Sequence, residues 1–180
     1  LLEGSASNSG SMDVSSSTMQ GGSATILGEQ VSVSGSVDAS GVSGGGTINV
    51  GGDFQGGNPD LTNAITADVT GTLASDSEVN GNGGRIIVWA DGVTSFSGDL
   101  SATGVESGGF AEVSGKSVLN FSGSVDLTSE SGVVGSLLLD PTNITISNTG
   151  SHTSIATSGS TILEPSAAAG SVISLSTLNS

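Results

Sequence analysis

Cysteine and tyrosine are absent from this chain of 180 residues, proline occurs three times, and lysine and arginine together number two. Without cysteine there is no disulfide framework, no thiolate metal site and no thiol nucleophile. Seventeen acidic residues against those two cations leave a formal charge of −15. Phosphate backbones and anionic head groups need clustered lysine or arginine, so nucleic acid is excluded as a partner. No apolar run approaches the ~18 residues that span a bilayer, and no membrane insertion is expected. The opening Leu1-Leu2-Glu3-Gly4 is not a charged region followed by an apolar stretch. No signal peptide is visible there, and the expectation is an interior piece of something longer.

What is abundant is glycine (30) and serine (36), together more than a third of the chain. An acidic Gly/Ser-rich chain invites a reading as disorder, because few apolar groups would offset the entropy of ordering. Against it stand 34% hydrophobic residues and a mean hydropathy of +0.18. The decisive matter is whether those apolar residues are patterned.

They are. One phrase, with glycine third and apolar or small residues alternating, recurs at Val33–Val37, Val69–Leu73, Phe96–Leu100 and Phe121–Val125, with a fainter copy at Gly10–Val14. The step from Gly10 to Gly35 is 25 residues, and it is 25 again from Gly98 to Gly123. A Gly-Gly pair followed by alternating apolar residues precedes each full copy, at Gly21, Gly45, Gly83 and Gly108, spaced 24, 38 and 25 residues apart. The long interval holds an insertion around Gln55 to Ala64. Period two bounded by Gly, Asn, Asp and Ser is the strand signature. One repeat buries too little alone, so the repeats must stack.

The expected fold is therefore all-β: a parallel β-helix with coils of about 25 residues, equivalent residues lying ~4.8 Å apart from coil to coil. Ala24, Ile48, Ile86 and Ala111 should form one interior column and Ile26, Val50, Val88 and Val113 the next, with Val37, Leu73, Leu100 and Val125 on another wall. The glycines are expected to supply positive φ at the corners. A two-sheet sandwich is the competing architecture, but it predicts no fixed step. Residues 1–147 read as a shaft segment with a loop insertion near 55–64, and 148–180 as an irregular continuation or the start of a further coil.

Three segments carry a family resemblance: Gly84-Arg-Ile-Ile-Val-Trp-Ala-Asp-Gly92, Gly108-Gly-Phe-Ala-Glu-Val-Ser-Gly-Lys116 and Leu137-Leu-Leu-Asp-Pro-Thr-Asn-Ile-Thr-Ile146. With Gly51-Gly-Asp-Phe-Gln-Gly56 they resemble the filamentous haemagglutinin-like large exoproteins of bacterial two-partner secretion systems. The resemblance runs from about Gly21 to Ile146. It implies a right-handed β-helix, secreted or held at the bacterial cell surface, exported in its full-length form through a dedicated outer-membrane transporter. It also implies a role in adhesion, with a host or neighbour-cell glycan or protein as receptor. The family's amino-terminal Asn-Pro-Asn-type motifs have no counterpart. The closest string, Gly57-Asn58-Pro59-Asp60, lacks the second Asn and lies in the insertion.

Chemistry is mostly declined. Parallel β-helices also house polysaccharide lyases and hydrolases, and such an enzyme is the alternative reading. It needs several carboxylates on one wall, whereas Asp38 and Asp126, at one repeat position, have Ala74 and Ser101 between them. No catalytic residue, cofactor or metal ligand is assigned. Gly51-Gly52-Asp53-Phe54 is one fragment of a calcium-roll pattern, and a structural calcium among turn carboxylates stays open. His152 has no second histidine or any cysteine beside it. No base accompanies a serine in sequence. Trp89 falls on the outer face of its strand with Arg85 and Ile87. There it stacks on a sugar or packs under the insertion, and packing is preferred. Phe96 and Phe121, one repeat apart, should stack inside. Arg85 is expected to pair with Asp91 or Glu112. Candidate ligand-binding residues are Trp89 with Asn58, Asp60 and Asn63 of the insertion, since a loop expelled from a solenoid often carries recognition.

Overall fold

The computed structural model describes residues 4–142, 144–147 and 171–174. The chain is a parallel β-helix with three walls. A first wall of seven strands aligns Ser5–Asn8, Gln30–Val33, Thr66–Val69, Val93–Phe96, Val118–Phe121, Ser171–Ser174 and Ile144–Ser147 in that spatial order. A second wall of five holds Ser11–Asp13, Ser36–Asp38, Thr72–Ala74, Asp99–Ser101 and Ser124–Asp126. The third, also of five, holds Ser23–Ile26, Thr47–Val50, Arg85–Ala90, Phe110–Gly115 and Ser136–Leu138. A sandwich is ruled out, because every pairing is parallel and, from Ser5 to Leu138, each joins successive coils.

The interior columns follow the expected register. Ala24 pairs with Ile48, Ile48 with Ile86, and Ile86 with Ala111, which meets Leu137. Ile26, Val50, Val88 and Val113 lie in register beside them. On the second wall Met12, Val37, Leu73, Leu100 and Val125 form one line. The rings of Phe96 and Phe121 stack in the interior with centroids 5.4 Å apart and planes 9° from parallel. Thr94, also interior, satisfies its hydroxyl by donating to the Ser114 carbonyl at 2.8 Å, as a buried polar group must.

Gly44 and Gly81, between the second and third walls, have the expected positive φ, but the glycines between the first and second walls serve a different purpose. Gly35, Gly71, Gly98 and Gly123 stack in one column, yet none of them has a positive φ. They are needed for close approach: a Cβ at Gly71 would stand 1.9 Å from the Gly35 carbonyl oxygen, and one at Gly98 would stand 2.0 Å from that of Gly71. The chain turns so tightly between first and second walls that each coil rests directly on the backbone of the one before it.

The second wall keeps Asp38 and Asp126 apart, with Ala74 and Ser101 intervening in register. Three coil steps amount to about 14 Å. These aspartates instead turn their own corners, Asp38 accepting from the Ser40 N–H and Asp126 from the Thr128 N–H, the local hydrogen bond that favours Asp at turns. Of the segment 148–180, including His152, only Ser171–Ser174 is described. It is a strand set between Val118–Phe121 and Ile144–Ser147, and the rest lies outside the described residues.

Candidate functional site

The insertion is expelled as a loop while the coils stay in register. The path leaves the third wall at Gly51 and returns at Ala64, whose N–H donates to the Gly51 carbonyl at 2.6 Å. Immediately beyond, Thr66–Val69 pairs residue for residue with Gln30–Val33 and with Val93–Phe96. The twelve residues between those two points fold back over the outer face of the third wall. On that face they reach Glu112, in the column with Asn49, Ile87 and Leu138, and the neighbouring Trp89.

The fastening is polar at the rim and aromatic at one end. Asp53 caps a short 3₁₀ turn, Phe54–Gly56, by accepting from the Phe54 N–H. It also accepts from Asn58 Nδ2 at 2.9 Å and forms an ion pair with Arg85 at 2.9 Å. The Asn58 bond, ahead of the guanidinium, holds the Asp53 carboxyl below its ordinary value. Arg85 thus pairs with Asp53 rather than with Asp91 or Glu112. Glu112 lies on the next coil of the same wall, whereas the loop brings an acid from outside the repeat. Phe54 meets Phe110 edge-on at 5.8 Å, with the Arg85 guanidinium 5.7 Å from the Phe54 ring centre.

Gln55 stands at φ +52, a conformation that costs a non-glycine residue about 1 kcal/mol or more. Two bonds hold it there. Its N–H donates to Glu112 Oε2 at 3.0 Å, and its side-chain amide donates to Asp140 Oδ2 at 3.2 Å. Glu112 is fully buried, and its Oε1 has no hydrogen-bond partner among the described residues. Burial pushes this carboxyl above its ordinary value, outweighing the Gln55 and Ser114 hydrogen bonds that act the other way.

Trp89 is only 4% exposed. Gly56 lies against its ring, so that a Cβ there would approach Nε1 to 2.6 Å. The indole N–H donates to Asp91 Oδ1 at 3.2 Å, the same oxygen that receives Asn63 Nδ2 at 3.2 Å. The loop therefore covers Trp89 through its glycines and Asn63. Asn63 is half-buried and also ties the loop to itself, donating to the Gly56 carbonyl. Asn58 points inward to Asp53 and accepts from the Asp60 N–H, while Asp60 itself is exposed. Of the four residues singled out in the sequence, Trp89 and Asn63 come together. Asn58 and Asp60 belong to the far side of the loop.

Between the loop and the turn that follows the last third-wall strand there is an open cavity of about 420 Å³. Trp89, Asn63, Gln55, Asp91, Lys116 and Asp140 line it, with Pro141 and Thr142 closing one side. Lys116 makes no ion pair among the described residues. The cavity offers an indole edge, two carboxylates, an ammonium and amide groups, an array of donors and acceptors that suits a polyhydroxylated ligand. No group of three or more His, Asp or Glu that could hold a metal occurs among the described residues. Asp91, Lys116 and Asp140 went unread as site residues. Asp140-Pro141-Thr142 and Lys116 stand in the very motifs that carry the resemblance, but nothing in their spacing says that a loop far earlier in the chain, with Gln55 85 residues before Asp140, faces them. Set against known protein families and curated proteins, the chain matches none.

Proposed function

We propose that this chain is a shaft segment of a secreted or surface-attached bacterial exoprotein of the filamentous haemagglutinin-like kind, and that it serves adhesion. A stack of coils with apolar columns and backbone-on-backbone corners makes a rigid rod suited to displaying a binding loop. The observation that carries the reading is the expelled loop of residues 52–63, fastened over the third wall with a polar, aromatic-edged cavity beside it. Its partner is a glycan of a host or neighbouring cell, or a protein presenting the same chemistry. The full-length chain would reach the surface through an outer-membrane two-partner secretion transporter. Replacing residues 56–64 with a short Gly-Ser turn tests the assignment on a glycan array and in cell binding. Lost binding with retained β content supports recognition by the loop, and undiminished binding by the well-folded variant overturns it.

One observation keeps an enzyme in view, namely that Asp91 and Asp140 line one cavity. Retaining and inverting glycoside cleavage both need two carboxyl groups that can reach the scissile bond. Glu112, the carboxyl whose environment would suit an acid, is sealed under the loop. Release of reducing ends from a panel of acidic and neutral polysaccharides, abolished by Asp91→Asn with Asp140→Asn, would establish that activity in place of adhesion.

A further inference from the structure

The corner between the second and third walls holds two Asn-Gly pairs side by side, Asn80-Gly81 and Asn82-Gly83. In such a pair nothing hinders the glycine nitrogen from attacking the preceding side-chain carbonyl carbon. The attack requires that nitrogen to be free of a hydrogen bond and the asparagine side chain to be uncommitted.

Exposure does not separate the two asparagines, since both are exposed. Hydrogen bonding does. The Gly83 N–H donates to the Ser107 carbonyl at 2.9 Å, and the Asn82 carbonyl accepts from the Gly45 N–H at 3.0 Å, so that peptide is held on both sides by neighbouring coils. The Gly81 N–H donates to nothing among the described residues, and the Asn80 side chain carries no hydrogen bond there. Both carbonyls accept a hydrogen bond, that of Asn80 from the Ser77 hydroxyl and that of Asn82 from the Gly45 N–H, so the difference rests on the glycine N–H alone. A hydrogen bond to an amide oxygen draws electron density from the nitrogen and makes its proton more acidic, which favours the attacking form in both pairs alike. The fold also keeps the glycine in place: Gly81 has φ +94, and a Cβ there would meet the Ser43 carbonyl oxygen at 2.5 Å.

We infer that Asn80 is a site of spontaneous intramolecular modification, selected over Asn82 by the hydrogen bonding of this corner. The Gly81 nitrogen gives its proton to solvent and bonds to Asn80 Cγ. The side-chain nitrogen leaves as ammonia, and a five-membered succinimide remains. One water then opens the ring at either of its two carbonyl carbons, yielding aspartate or isoaspartate at position 80. Either product adds a carboxylate two residues from Glu78. The isoaspartate also lengthens the main chain by one methylene beside the bond from the Glu106 N–H to the Gly81 carbonyl, which weakens the coil contact at this corner.

The test is incubation of the intact chain in mildly alkaline oxygen-18 water, followed by cleavage after Glu78 and Arg85. These cuts release residues 79–85, a single peptide containing both asparagines, and fragmentation assigns the isotope-marked mass gain. In the folded chain the gain should fall on Asn80 at least about tenfold faster than on Asn82, whose reaction must wait for local opening. In denaturant the two should react at similar rates. Equal rates in the folded chain, or a folded Asn80 that stays intact while the denatured chain converts, would overturn the assignment.

Discussion

The strands Arg85–Ala90 and Val93–Phe96 follow one another in the same coil, yet only the second shows the alternation that half-burial produces. In Val93–Phe96 the even positions, Thr94 and Phe96, are buried, while Val93 and Ser95 face outward. In Arg85–Ala90 everything after Arg85 is buried on both faces, Ile86, Val88 and Ala90 toward the core and Ile87 and Trp89 beneath the loop. A strand wetted on one side writes its orientation into its sequence. A strand covered on both sides reads as a continuous apolar run, and the insertion is what supplies the second cover.

The sharpest way to break that comparison is to charge the inner face. Val88→Asp places an unpaired carboxylate between Val50 and Val113, and it should cost several kcal/mol or prevent folding. An unchanged melting temperature would mean that Val88 is not interior. Next in size, Trp89→Ala empties the space under the loop and should cost about 3 kcal/mol. Its signature differs from that of an inner-face change: protease cleavage within residues 52–63 should appear at temperatures where the β signal of the shaft is intact.

Glu112 gives the comparison a pH axis. Its folded value is raised above the ordinary 4.5, so as pH rises past that point the unfolded chain releases a proton that the folded chain still holds. Stability must therefore fall with rising pH through this window and level off only above the folded value. Asp53 acts oppositely. Its lowered carboxyl contributes stability above its ordinary 3.8 that is lost on acidification below it. Urea denaturation of Glu112→Gln against the parent should give a flatter decline as pH rises above the ordinary 4.5, and identical slopes would place Glu112 in water rather than under the loop. The smallest expected effect is that of Arg85→Ala, whose ion pair with Asp53 is partly solvated, with side chains 36% and 18% exposed. Less than ~1 kcal/mol should be lost, detectable as faster loop cleavage in salt-free buffer and fading as salt is added.

The 25-residue step, the Gly-Gly pairs and the period-two phrases by themselves determined the parallel coil, the columns through Ile86 and Val88, and the Phe96 and Phe121 stack. A solenoid contacts only its neighbours, so equal spacing in the chain becomes adjacency in space. The same repeat logic failed for Arg85, because its partner Asp53 comes from the one stretch that leaves the repeat. It failed also for the glycine column Gly35, Gly71, Gly98 and Gly123, whose requirement is clearance to the backbone of the next coil, a quantity that exists only once coils are stacked. The cavity beside Trp89 was beyond reach for that reason: Gln55 of the loop, Asp91, Lys116 and Asp140 meet only because the insertion folds back across three coils. Sequence spacing determines what repeats, while the path of a non-repeating loop is set by where it finds acids, amides and an indole to satisfy it, and only the tertiary structure decides that.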